Sequence, residues 1–350
     1  MLANDRYPLN RHALNFETVV FYILSDDLTG ASGVASMVDV PGTATVNLER
    51  LSPELARRFS CIAVNLETRD RNGGEAAERL SSALDLVGES PVAVRIDSAL
   101  RGHVQTSIRA LLERGDVMVT DTIPEYGRRT VSGKTCIGTQ QRDIASLLAP
   151  LRRGTRARTI TIADSETQED LDLLALRCID DNLIPVDPGP LVARVARKKL
   201  GLDAPASNCA AGKTVSSVAF VVGTRDPRSL EQIRHMKDLG FAVQEPGLKR
   251  AEGVDVFTFS IGNQKSLITR PFLEQLAGYD ALVLSGGTTA NHVLGRSGFE
   301  CLLNDGQVQP LVSSALVSGG VFDGKRVVLK GGFIGDEKTY KTILDWLRRE

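Results

Sequence analysis

Apolar runs at 18–24, 61–66, 91–96, 117–120 and 159–163 alternate with segments of helical period, the pattern of a mainly parallel sheet with crossover helices. Three later β-rich runs, SVAFVV (217–222), DALVLS (280–285) and RVVLK (326–330), are each followed by Gly or Thr and another helical stretch. In LRGHVQTSIRALLERG (100–115), Leu100, Val104, Ile108 and Leu111 share one face, and Gly115 ends the predicted helix. In DEKTYKTILDWL the spacing predicts a helix capped by Asp336 that buries Tyr340, Ile343, Leu344 and Leu347.

At 350 residues the chain exceeds one ordinary core and implies roughly two domains of about 150–200 residues. Residues 201–216 are rich in small residues, carry Pro205 and lack apolar period, so they read as a linker or hinge. The expected organisation is an N-terminal extension (1–16), an α/β domain (17–200), the linker (201–216) and a second α/β domain (217–350). Each domain is expected to carry a mainly parallel β-sheet flanked by helices, with a cleft between the two.

Lys and Arg total 42 against 43 Asp and Glu, and the formal charge of −1 gives no field favouring nucleic acid or an anionic membrane. Small-molecule partners are expected, and the oligomeric state is left open. Five scattered cysteines without a C-x-x-C pair argue against a disulfide framework or a zinc knuckle. No apolar run approaches the ~18 residues of a membrane span, and a cytoplasmic location is expected.

Three segments share one grammar, an apolar run breaking into Gly, Asp, Ser and Thr before a helix: VVFYILSDDLTGASG (19–33), ALVLSGGTTANHVLG (281–295) and VVLKGGFIGDEKTY (327–340). In a parallel α/β sheet ligands settle at the carboxyl ends of strands, where the next helix presents its N–H groups. The first segment puts Asp26 and Asp27 at such an end, where either can cap the following helix or hold a substrate hydroxyl. RIDSALRG (95–102) repeats the device with Asp97 and Ser98, and adds Arg101, which suits a carboxylate or phosphate. NLETRDRNGG puts Arg69 at the same edge if the strands are parallel neighbours.

In the C-terminal half, Gly286 and Gly287 let backbone approach a phosphate, and Thr288 and Thr289 can cap or hydrogen-bond. KGGFIG adds Lys330, Gly331 and Gly332, and VVGTRDP adds Thr224 at a third strand end. SGKT (132–135) is not a Walker A loop, because the place of its first glycine holds Arg128. EYGRRTVSGKT reads instead as a solvated basic loop, the alternative being that Arg128, Arg129 and Lys134 reach an anion. His103 and His292 have no metal-ligand spacing, and no metal-ligating residues are assigned.

In order, SDDLTGAS, ETRDRNGGEAA, RIDSALRG, PEYGRRTVSG, ADSETQEDL, VVGTRDPRSLEQI, LVLSGGTTA and VVLKGGFIG resemble the four-carbon acid sugar kinase family from about residue 20 to the C-terminus. The resemblance implies ATP-dependent phosphorylation of the terminal hydroxyl of threonate, erythronate or 3-oxo-tetronate, with Mg²⁺ on the phosphates. It implies acid-sugar contacts at Asp26, Arg69 and Asp97–Arg101, and nucleotide contacts at Thr224, Gly286, Gly287, Thr288, Thr289 and the glycines after Lys330; Asp26, Asp97 and Arg101 are the expected catalytic residues, with Asp26 or Asp97 at the acceptor hydroxyl and Arg69 and Arg101 at the carboxylate. Two departures stand out: Ser32-Gly33 replaces the family's Asn-Asp, and Thr288 replaces the Asp of its GGDT turn. The alternative is a binding protein of the same fold with weak or lost kinase activity.

Overall fold

The computed structural model describes residues 20–38, 42–154, 158–202, 215–246, 253–259 and 264–349. The expected extension (1–16) and most of the expected linker lie outside them. The N-terminal half contributes β1 (Phe21–Ser25), β2 (Thr43–Asn47), β3 (Cys61–Asn65), β4 (Val92–Arg95), β5 (Val117–Val119), β6 (Arg128–Val131), β7 (Lys134–Ile137), β8 (Gln140–Asp143), β9 (Ile160–Ile162) and β10 (Ile184–Asp187). The C-terminal half contributes β11 (Val218–Val222), β12 (Ala242–Gln244), β13 (Val254–Thr258), β14 (Ala281–Ser285), β15 (Cys301–Gln309), β16 (Val312–Ser318) and β17 (Arg326–Lys330).

Fourteen strands form one sheet in the order β12-β13-β11-β14-β17-β16-β15-β2-β3-β1-β4-β10-β5-β9. Both halves are mixed α/β units dominated by parallel pairs, as the alternating pattern predicts. The apolar runs of the N-terminal half become β1, β3, β4, β5 and β9, and those of the C-terminal half become β11, β14 and β17. In each half the first strand is central, the next two lie on one side and the fourth on the other: β2-β3-β1-β4 and β12-β13-β11-β14. Each half therefore has a topological switch point beside its first strand, where a crevice opens at the carboxyl edge.

The halves are sewn together by antiparallel pairing of β15 with β2, with Leu302 opposite Thr45 and Leu303 opposite Ala44. Along this seam Thr45 Oγ1 donates to Asn304 Oδ1 (2.8 Å), Asn304 Nδ2 donates to Ser32 Oγ (3.0 Å), and Ser32 and Ser313 hydroxyls meet at 2.7 Å. The helix Leu28–Ala35 is buried along its whole length, and Leu28 packs with Leu284, Ala290 and Leu329 of the other half. Among the described residues no helix is long and apolar enough to cross a membrane.

Three local expectations are corrected. The helix expected over 100–115 spans Val104–Leu111, because Leu100 (φ 54°) and Gly102 (φ 79°) turn left-handed, so Arg101 lies in a loop ahead of the helix. The basic loop 125–135 is largely a hairpin: β6 and β7 pair antiparallel around Ser132-Gly133, both at positive φ, and β8 completes a separate three-stranded sheet. The last helix, Thr339–Leu347, starts after Lys338 rather than at Asp336. Asp336 instead accepts hydrogen bonds from the Lys338 N–H (3.0 Å) and Thr339 Oγ1 (3.1 Å).

Candidate active site

β1 is buried on both faces, so polar chemistry appears only where it ends. There Asp27 takes an extended backbone and caps the helix Leu28–Ala35, accepting from the Gly30 N–H (2.7 Å) and Thr29 Oγ1 (3.0 Å). Asp26 turns toward the loops after β3 and β4. Its carboxylate is gripped in a fork by Arg69, Nε to Oδ2 at 2.9 Å and Nη2 to Oδ1 at 2.8 Å. The same guanidinium donates to Asp27 and lies 3.2 Å from Asp97 Oδ1.

These residues converge because β3 and β4 flank β1 in parallel, with Ser25 in register with both Asn65 and Arg95. The Asp26 carbonyl accepts from the Thr68 and Arg69 N–H groups (3.1 and 3.3 Å), which fixes the loop that carries Arg69. Arg95, the last residue of β4, is 5% exposed. Its Nη1 sits 3.3 Å from Asp26 and 3.4 Å from Asp27, and its Nε donates to the Pro188 carbonyl (3.2 Å). Arg101 closes the cluster with a second fork onto Asp97, at 2.7 and 3.0 Å. Three carboxylates thus face three guanidiniums.

The carboxylates differ in proton affinity. Burial pushes Asp26 above the usual carboxylate range, its neighbour Asp27 adds to the effect, and the Arg69 and Arg95 charges only partly offset it. Burial also acts on Asp27, but Arg69, Arg95 and the Gly30 N–H outweigh it and hold the group low. Burial of Asp97 is likewise outweighed, by the hydrogen bonds from Arg101 and the Arg69 charge, and its pKa falls well below normal.

The facing wall is built from the carboxyl ends of β11, β14 and β17. The helix Gly287–Ser297 begins at Gly286 (φ 99°) with no capping side chain. A Cβ on Gly287 would lie 2.3 Å from Asp27 Oδ2, so the helix N-terminus abuts the acidic edge directly. Thr288 Oγ1 donates to Asp70 Oδ2 at 3.4 Å, and Asn65 Nδ2 donates to Asn291 Oδ1 at 3.0 Å. Between the walls lies a cavity of about 370 Å³. Asp26, Asp27, Arg69, Asp97 and Arg101 line it on one side, and Thr224, Gly286, Gly287, Thr288, Thr289, Gly331 and Gly332 on the other.

Two expected contacts stand back from the cavity. Ser98 is fully buried, and its hydroxyl has no hydrogen-bond partner among the described residues. Lys330 is also fully buried: its Nζ donates to the carbonyls of Gly331 (2.9 Å) and Gly332 (3.3 Å) and to Ser229 Oγ (3.2 Å), so it braces the glycine turn from beneath. Burial pulls its pKa down to about 7. The sequence reading missed Arg95 and Arg225, both lining the cavity. The available signal for Arg95 was a lone arginine closing the apolar strand PVAVR.

A family profile described as "Sugar-binding N-terminal domain" matches residues 21–147, which carry the whole Asp–Arg cluster. Over 93% of this chain and 96% of the relative, the sequence is 25% identical to a D-erythronate kinase of Heliobacterium modesticaldum. A 3-oxo-tetronate kinase of Actinobacillus succinogenes is 24% identical over 44% of this chain and 40% of its own length. The fold is shared with solved proteins of Salmonella typhimurium LT2 (TM-score 0.66, 13% identity, covering 93% of this chain and 98% of that one) and Haemophilus influenzae (TM-score 0.61, 17% identity, covering 93% and 100%).

Proposed function

We propose that the chain is an ATP-dependent kinase that phosphorylates the terminal hydroxyl of a four-carbon sugar acid of the threonate, erythronate or 3-oxo-tetronate type. The observation that carries this reading is one cavity with opposed walls: an Asp–Arg cluster on one side, an uncapped helix N-terminus and glycine turns on the other. Main-chain N–H groups at such a helix start suit the phosphates of ATP, with Mg²⁺ as their counter-ion. The glycines fit this role because the cradle has no room for side chains, the space beside Gly287 being taken by Asp27.

Asp26 is the residue for the acceptor. All three carboxylates line the cavity and are held by arginines, but Asp27 also caps the helix and both it and Asp97 have lowered proton affinity, whereas that of Asp26 is raised. The acceptor hydroxyl gives its proton to Asp26 as its oxygen bonds to the γ-phosphorus, and the bond from that phosphorus to the β–γ bridging oxygen breaks, releasing ADP. Arg69 and Arg95 hold Asp26 in place, so misalignment of the base is costly to reach. A coupled assay of ADP release over a panel of tetronates tests the reading. Acid-dependent ADP formation is expected, and ligand binding without turnover would favour the binding-protein alternative.

A further inference from the structure

The three arginines of the Asp–Arg cluster leave little charge for an incoming acid, and Arg225, the fourth arginine lining the cavity, stands on the opposite wall after β11. Arg69 is shared among Asp26, Asp27 and Asp97, Arg95 between Asp26 and Asp27, and Arg101 is forked onto Asp97. Within this cluster three negative groups already balance three positive ones. A sugar acid nevertheless brings a carboxylate that must lose water on binding, and burying it without a cation is expensive.

A second chamber of about 280 Å³ adjoins the first, sharing Arg101, Asp226 and Phe333 as common wall. Its far side is the small sheet β6–β8. Arg128 pairs with Ile137, Ile137 with Gln140 and Thr135 with Arg142, so strand alternation sends Arg128, Thr135, Ile137, Gln140 and Arg142 to one face, and all of them line the chamber. Arg128 is 6% exposed and braced from behind: its Nη1 donates to Asp121 Oδ2 (2.9 Å), which also accepts from Thr135 Oγ1 (2.6 Å). Arg142 is exposed, and no carboxylate pairs with it among the described residues. The chamber's one acidic group, Asp226, is engaged as the cap of the helix Pro227–Asp238.

We infer that this chamber receives the carboxylate of the acid substrate, with Arg142 as the specificity-determining cation, the Asp121-paired Arg128 beside it and Arg101 at the passage between the chambers. This deepens the proposed kinase reading and rests on it for the identity of the acid. The other anion in reach is the phosphate chain, but the helix start at Gly287 and the glycine turns line the first cavity and not this chamber. The acid would thus lie with its carboxylate against the small sheet and its terminal hydroxyl toward Asp26.

Arg142 is on the surface, so Arg142→Gln is expected to fold with unchanged melting temperature. Binding of the tetronates to the wild type and the variant is measured by calorimetry without ATP, alongside KM for acid and for ATP and turnover of the matching uncharged tetritol. The variant is expected to weaken acid binding by about 10- to 100-fold, the worth of a charge-assisted bond. Its KM for ATP should not move, its preference for acid over tetritol should collapse, and Arg142→Lys should restore part of the affinity. Unchanged acid affinity in Arg142→Gln, or an equal loss for ATP, would overturn the assignment. Phosphorylation of an acid unaffected by the variant sinks the chamber alone. Acid binding that depends on Arg142 but is never followed by phosphorylation sinks the kinase reading alone and supports the chamber.

Discussion

Adjacent aspartates at the end of one strand acquire opposite roles from the partners each one meets. Asp27 is held low by Gly30 N–H and two guanidiniums, while Asp26 has its proton affinity raised by burial. Asp26→Asn keeps the size of the side chain and an oxygen that can accept from Arg69, but it puts a donating NH2 in place of the second oxygen of the fork and removes the capacity to take a proton. Turnover should fall by about 10²–10⁴-fold, with acid and ATP affinities largely preserved, as steady-state kinetics and calorimetry would show. Asp121 gives a separate expectation about pH. Burial raises its pKa to about 7, above the 3.8 of an unperturbed group, so between these values the folded protein keeps a proton that the unfolded chain releases. Its stabilising contribution is complete below about pH 4 and is lost as pH rises through 7. The melting temperature of Asp121→Asn relative to wild type should therefore climb from pH 4 to about 7 and level off above, and a flat difference would contradict this assignment.

At the scale of elements, the helix Leu28–Ala35 and the helix Gly287–Ser297 hold the two walls in contact. The first is buried on every side, which its short, small-residue sequence LTGASGVA permits by letting the backbone pack closely. Leu28→Ala should cost about 2–5 kcal/mol in denaturant unfolding, because Leu28 is wholly enclosed among core residues of the C-terminal half, Leu284, Ala290 and Leu329 among them. Gly287→Ala acts differently. Its new methyl would need the space of Asp27 Oδ2, so the helix start must move away from the acidic edge. A loss of about 1–3 kcal/mol, together with weaker ATP binding, is expected in thermal melts and titrations.

For the whole molecule, the β2–β15 seam makes one sheet out of two ligand edges and keeps their carboxyl ends facing a common cavity. Asn304 serves that seam with contacts to Thr45 and Ser32 on the opposite half. Asn304→Ala leaves these buried groups without their partner, and should cost about 1–3 kcal/mol while reducing the affinity for both substrates, although Asn304 touches neither wall of the cavity. Loss of stability with both affinities unchanged would show that the seam does not hold the walls in register.

The chain's own pattern was enough to announce the main strands of both halves, the polar break after each, and the residues placed at those breaks. Strand period and glycine or acid at a strand end are local properties, written in a few consecutive residues. Asp26, Asp97 and the twin glycines were legible in this way, whereas the place of Arg69 depended on its strand pairing with β1 and that of Arg101 on the left-handed turn ahead of its helix. The seam, the hairpin at 128–137 and the buried places of Lys330 and Arg95 were not, because each depends on a partner far along the chain. Which aspartate becomes the helix cap and which keeps a raised proton affinity is likewise decided by desolvation and by arginines arriving from other strands. Sequence specified the chemical groups at each strand end; only the pairing order of the strands determined which groups face one another, since electrostatics and packing act through space.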